Sequence, residues 1–232
     1  MVNRLVLWDI DGTLMRAGAV AGEIFSTAVE HVVGRHPGEH QVLMGGKTDP
    51  QIALEILAAM GIEAGPGHEH LPLVVGRLEA ELAGAVDLIR EKGVVLPGVR
   101  ELLATLAADD DVAQSVLTGN TVVNAATKLA ALELDQWLDL EIGAYGSDDP
   151  DRLSLVPVAL ARAADLRGRT FRPEEVWVIG DTRHDLACAR AASARCLLVR
   201  TGHLALGDEC AAADAILDDL ADVDEVLRLI RS

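Results

Sequence analysis

The sequence predicts an α/β protein: a doubly wound, Rossmann-like parallel sheet core with an inserted helical cap domain. Three observations carry that prediction. Short apolar runs at 5–9, 114–118, 176–180 and 196–199 alternate with stretches of helical periodicity. Such alternation builds a parallel sheet with helices on both faces. Residues 16–91 carry helical spacing without a clear strand signal, so they read as an insertion. Three of the apolar runs lead into polar residues (Asp9, Thr118 and Asp181), and a doubly wound sheet gathers its strand ends at one crevice. The expected division is a core at 1–15 and 92–232 and a helical cap at 16–91.

Taken in order, Leu5-Val6-Leu7-Trp8 reads as a short buried strand that Gly12 ends by letting the backbone turn. Residues 21–34 have helical periodicity, and Pro37-Gly38 marks a loop. In Gly45-Gly46-Lys47-Thr48-Asp49-Pro50, Asp49 is the expected cap of a helix at 50–60, with Pro50 at its first position. A loop at 61–70 precedes a helix at 71–91. Pro97-Gly98 opens a helix at 98–108. The core then alternates: strand 114–118, helix 121–131, strand 141–144, helix 154–165, strand 176–180, helix 184–192, strand 196–199, strand 215–217 and helix 219–230. The Gly- and Ala-rich stretches 15–21 and 93–98 are the expected hinges.

The chain has 232 residues, half of them hydrophobic and 3% aromatic, so its core is built from Ala, Val, Leu and Ile. A net charge of −17 disfavours nonspecific binding to nucleic acid or to anionic membranes. Cys188, Cys196 and Cys210 are odd in number and lack a Cys-x-x-Cys pair, which argues against a disulfide framework and a zinc site. No apolar run reaches membrane-spanning length, and the start of the chain has no charged-then-apolar leader. The expectation is a cytoplasmic protein.

Asp9 and Asp11 stand two apart at a strand end, so they share a face. Two carboxylates there repel each other unless a cation or a shared proton relieves them. Thr118-Gly119-Asn120 and Gly180-Asp181-Thr182-Arg183-His184-Asp185 end two further strands. An Asx turn would account for any one of these groups. Three in this order point to chemistry on phosphate.

On these residues the chain resembles the haloacid dehalogenase-like superfamily of phosphohydrolases. Asp9-x-Asp11-Gly12-Thr13 is similar to its first motif, Thr118 to its second and Gly180-Asp181-x3-Asp185 to its fourth. The resemblance covers nearly the whole chain. It implies a C1 helical cap like that of phosphoglycolate phosphatases and β-phosphoglucomutases. The third motif departs from the usual lysine: Arg152, in Asp148-Asp149-Pro150-Asp151-Arg152-Leu153, is the closer positional match, with Lys128 as the alternative.

The activity this implies is a Mg²⁺-dependent phosphatase acting on a small phosphorylated metabolite through an aspartyl-phosphate. A hard cation with oxygen ligands neutralises phosphate charge. Asp9 and Asp181 are the expected side-chain metal ligands, and the resemblance adds the Asp11 carbonyl. Asp185 is expected to act through water or in support. Asp9 is the expected nucleophile and Asp11 the acid and base, with Asp9 kept ionised by the metal and Asp11 protonated beside it. Thr118, Gly119 and Asn120 would donate to phosphate oxygens, and Thr13 would orient Asp11 or cap the turn. Lys47 and Thr48 are expected to face the substrate from the cap. A phosphosugar mutase is the alternative within the family, and a noncatalytic receiver-like module the alternative outside it. Dehalogenation is disfavoured because it needs no Asp11, and phosphonate hydrolysis would require a Schiff-base lysine such as Lys47. His36 and His40 flank Pro37-Gly38 and lack helical ligand spacing, His68 and His70 read as a solvated surface run, and His184, between Asp181 and Asp185, reads as a surface residue at a helix start.

Overall fold

The structure, a computed structural model, describes residues 4–18, 20–38 and 42–232; His40 and part of the expected 15–21 hinge lie outside the described residues. The chain forms β1 (Arg4–Trp8), β2 (Met15–Arg16), α1 (Val20–Val33), α2 (Asp49–Ala59), α3 (His70–Gly84), α4 (Val86–Lys92), β3 (Val94–Val95), α5 (Val99–Ala107) and β4 (Val112–Thr118). It continues through α6 (Val122–Ala131), β5 (Ala144–Tyr145), α7 (Leu155–Arg167), β6 (Val176–Gly180), α8 (Arg183–Ala191), β7 (Arg195–Val199), β8 (Ala215–Leu217) and α9 (Val223–Arg231). Six strands form one parallel sheet in the order β5-β4-β1-β6-β7-β8.

The strands are apolar on both faces because both faces are covered. Leu5 and Leu7 join Val176, Val178, Cys196 and Leu198 in one core. Val6 and Trp8 join Trp177, Ile179, Leu197 and Val199 in the other. Successive side chains point to opposite faces, so each strand feeds both cores. Burial of each such side chain contributes roughly 1.5–3 kcal/mol. β1 lies between β4 and β6, which places the reversal of strand order at its carboxyl end.

Helices α1 to α4 lie between β2 and β3, which pair antiparallel and bring the two ends of this segment together. Phe25, Ala28 and Val29 of α1, Ile52, Ile56 and Leu57 of α2 and Val74, Leu78 and Leu82 of α3 recur at helical spacing. They are continuous with the core that holds Trp8, through packing of α3 and α4 against α6.

Several expected elements are corrected. The helix at 71–91 is two helices, because α3 ends at Gly84, a poor helix former, and Ala85 closes the turn onto Glu81 and Leu82. The strand expected at 141–144 is a 3₁₀ turn at Leu140–Ile142. There the Asp139 carboxylate caps Glu141, and only Ala144–Tyr145 pairs with β4. The last helix begins at Val223, where Asp222 accepts from the Glu225 N–H. Thr48 rather than Asp49 caps α2, and Asp49 is its first residue. Cys188, Cys196 and Cys210 are free and buried. Among the described residues no helix is long and apolar enough to cross a membrane.

Candidate active site

The carboxyl end of β1 is folded back on itself. The N–H groups of Thr13, Leu14 and Met15 converge on the Ile10 carbonyl, at 3.3, 2.9 and 3.0 Å. Gly12 supplies the turn with φ +92°, and a Cβ there would lie 2.6 Å from Asp181 Oδ2. Glycine therefore answers both the backbone and the space. The Asp9 N–H donates to the Ile179 carbonyl at 2.8 Å, which fixes Asp9 to the end of β6.

Asp9, Asp181 and Asp185 are buried, and a carboxylate oxygen from each lies within 4.8 Å of the others. Arg152 joins two of them, donating to Asp9 Oδ1 at 2.8 Å and to Asp185 Oδ1 at 2.5 Å. The other Asp185 oxygen accepts from the Thr182 N–H at 2.9 Å and from its hydroxyl at 2.7 Å. Asp185 is thus saturated by its own helix cap and by Arg152. Thr13 donates to Asp181 at 3.4 Å. Burial, then repulsion from Asp9 and Asp185, pushes the Asp181 carboxyl up to about 9 against the pull of Arg152. Burial raises Asp9 to about 7; Arg152 opposes this, and Asp185 and Asp11 add to it.

Asp11 sits in different company. Lys128 donates to Asp11 Oδ2 at 2.6 Å and to Asn120 Oδ1 at 2.7 Å. The Asn120 amide donates to Asp11 at 2.8 Å and to the Thr118 hydroxyl at 2.8 Å. The Asp11 side chain is 43% exposed; the protein packed around it works against the carboxylate, yet Lys128 and Asn120 bring its pKa below the ordinary value. The two carboxyls are thus pushed in opposite directions, Asp9 upward and Asp11 below its ordinary value. Burial raises Asp9, and Asp185 beside it competes for the charge of Arg152, whereas a buried ammonium faces Asp11.

The model of the haloacid dehalogenase-like hydrolases matches residues 6–190. This chain belongs to that family. Among solved structures, the hydrolase resembles a hydrolase from Pseudomonas syringae at 21% identity and TM-score 0.71, covering 99% of this chain and 100% of that one. It resembles a predicted phosphoglycolate phosphatase from Haemophilus somnus at 18% and TM-score 0.67, covering 97% and 98%. CbbY from Rhodobacter sphaeroides, solved in complex with phosphate, matches at 18% and TM-score 0.66, covering 96% of each chain. At these identities the likeness is one of fold. No curated protein sequence gives a significant match.

In this haloacid dehalogenase-like hydrolase the strand-end residues expected from sequence come together: Asp9, Asp11, Thr118, Gly119, Asn120 and Asp181 line one cavity of about 520 Å³. Arg152 and Lys128 both line it, on different carboxylates, so the two candidates are not exclusive. Lys47 lines it and forms an ion pair with Glu55. The Thr48 hydroxyl is engaged elsewhere, donating to the Pro150 carbonyl at 2.9 Å and accepting from the Gln51 N–H at 3.2 Å. Thr13 is buried beneath Asp181.

Asp49 is a residue that the reading from sequence assigned to the wrong job. Its N–H donates to the Gly119 carbonyl at 2.7 Å. Its carboxylate accepts from the Thr121 N–H at 3.0 Å and from the Asn124 amide at 2.8 Å. Burial raises its pKa, opposed by Lys128, Asn124 and Thr121. The first turn of α2 is therefore docked on the first turn of α6. A Cβ on Gly119 would lie 2.0 Å from the Lys47 carbonyl, which shows how close the two backbones run. The far wall, with Phe25, Met44, Ile52 and Leu204, carries no motif, because apolar residues at helical spacing read as ordinary core.

Proposed function

We propose that the chain is a Mg²⁺-dependent phosphomonoesterase that acts on a small phosphorylated metabolite through an aspartyl-phosphate on Asp9. The observation that carries this is the buried cluster of Asp9, Asp181 and Asp185, whose carboxylate oxygens lie within 4.8 Å of one another. An all-oxygen donor set in which burial, and then repulsion from Asp9 and Asp185, lifts Asp181 to about 9 fits a hard divalent cation. Asp9 and Asp181 would hold it, since both oxygens of Asp185 are engaged by Arg152 and Thr182. A bound Mg²⁺ supplies positive charge that favours ionised Asp9 and offsets the charge of the phosphoryl oxygens.

Asp9 attacks phosphorus, and the bond from phosphorus to the leaving oxygen breaks. Asp11 takes up a proton as the negatively charged ester enters beside it, because a neighbouring like charge raises its pKa, and gives that proton to the leaving oxygen. Water then attacks the aspartyl-phosphate, Asp11 takes the water proton, and the bond to Asp9 breaks to release phosphate. Lys128 and Asn120 hold the Asp11 carboxylate in one orientation throughout. Thr118 and the amides of Gly119 and Asn120 stand at the start of α6, where donors suit phosphoryl oxygens. Arg152 keeps Asp9 aimed, and Lys47 faces the cavity from the helical segment, read here as the cap.

The test is phosphate release from acetyl phosphate and p-nitrophenyl phosphate, with Mg²⁺ and with EDTA. The expected result is turnover that needs the metal and is lost in Asp9→Asn. Full activity of Asp9→Asn, or full activity in EDTA, would contradict the reading.

A further inference from the structure

The cavity is larger than a phosphoryl group requires. Its volume of about 520 Å³ falls in the range of about 300–1,000 Å³ that small organic ligands occupy. What fills the remainder is decided by what lines it. The polar side chains beside the carboxylates are already committed within the protein: Asp49 to α6, Asn120 and Lys128 to Asp11, and Lys47 to Glu55. Arg16, whose guanidinium donates to the Thr201 carbonyl at 2.5 Å, and His203 stand exposed at the rim. The opposite wall is carbon: Phe25 and Ile52 are buried, and Met44 lies beside them on the loop before α2. Leu204 closes the wall from the core side. It remains 43% exposed while leaning on the Gly45 backbone, where an added Cβ would meet it at 3.1 Å.

We propose that the ester taken into this cavity has an apolar leaving group, alkyl or aryl, rather than a sugar or a glycolate. This rests on the phosphomonoesterase reading and names the substrate class of the same site. A hydroxyl-rich leaving group would lose its water against Phe25, Ile52 and Leu204 and find few free side-chain partners there among the described residues. An apolar one buries carbon against carbon and covers Leu204. The same wall argues against the phosphosugar mutase alternative.

The experiment compares kcat/KM, with Mg²⁺, for four primary-alkyl phosphomonoesters: hexyl phosphate, benzyl phosphate, glucose 6-phosphate and 2-phosphoglycolate. Acetyl phosphate serves as the control for phosphoryl transfer itself. Hexyl and benzyl phosphate are expected to lead by at least roughly tenfold, the scale on which apolar pockets discriminate. In Leu204→Ser, a surface change that the fold tolerates, the ratio of hexyl phosphate to glucose 6-phosphate should fall several-fold. Equal or faster turnover of the two polar esters overturns this inference and leaves the phosphatase reading standing. A ratio unmoved in Leu204→Ser overturns the assignment of the wall. Release from none of the esters and none from acetyl phosphate overturns the phosphatase reading, and this inference with it.

Discussion

At the floor of the cavity Asp9 and Asp11 are tied to Arg152, Lys128 and Asn120 by short hydrogen bonds, with Asp185 behind them on Arg152, whereas Phe25, Met44, Ile52 and Leu204 line its wall with apolar side chains. The floor stands on strand ends that sheet order fixes, so its geometry follows from the topology. The wall comes from α1, α2 and the loop after β7, elements free to vary without disturbing the sheet. Under the proposed function, reaction type belongs to the first region and choice of substrate to the second. Changes on the floor should therefore cost stability or turnover, and changes on the wall should re-rank substrates.

The largest structural effect is expected at Arg152. Arg152→Ala leaves Asp9 and Asp185 buried without their shared cation, a loss of about 3–5 kcal/mol for a broken buried pair. Chemical denaturation should show it. Leu204→Ala on the wall should stay within about 0.5 kcal/mol, and equal losses at the two sites would erase the contrast between floor and wall.

Next comes the seam between the two regions. Gly119→Ala puts a methyl group 2.0 Å from the Lys47 carbonyl, so α2 must shift. Overpacking of this kind costs roughly 1–3 kcal/mol, and kcat/KM should fall with the melting temperature. A melting temperature equal to that of the wild type would show that the backbones do not run this close in solution.

Asp49→Ala removes the acceptor for Thr121 and Asn124, a loss of roughly 1–3 kcal/mol for donors left buried. Asp49→Asn keeps one oxygen acceptor and should fall between the wild type and the alanine variant.

The smallest effect is a slope. An aspartate in the unfolded chain ionises near 3.9, whereas Asp9 in the fold is at about 7 and Asp181 at about 9. Between these values the folded metal-free chain holds more protons than the unfolded one. The stability from these two groups is complete below about pH 4 and is lost as pH rises through 7 to 9. Mg²⁺ competes with those protons, so it should raise the melting temperature more at about pH 8 than at about pH 5. Asp181→Asn should flatten both trends. A Mg²⁺ shift independent of pH would speak against carboxylates that gain their charge on binding.

The floor was legible in the sequence and the wall was not. Asp9, Thr118 and Asp181 stand at the ends of apolar runs, and a parallel sheet leaves their destination little choice. The two cations were harder. The inward aim of Lys128 depends on the phase of α6, and that of Arg152 on a 3₁₀ turn before α7, so spacing alone ranks them as rivals when each serves its own carboxylate. Thr48-Asp49-Pro50 holds two good capping residues side by side. Packing on α6 decided between them, because Asp49 is needed to accept from Thr121. Phe25 and Ile52 carry the same signal as any core residue, since apolar periodicity does not say whether a side chain meets protein or ligand.

Phosphoryl transfer to Asp9 tests the carboxylate assignment most directly. Asp11→Asn protein, incubated with acetyl phosphate and Mg²⁺ and then quenched in acid, should carry one phosphoryl group that peptide mapping places on Asp9. A wild type that turns over while the trapped group sits on another residue, or on none, would contradict a nucleophilic Asp9.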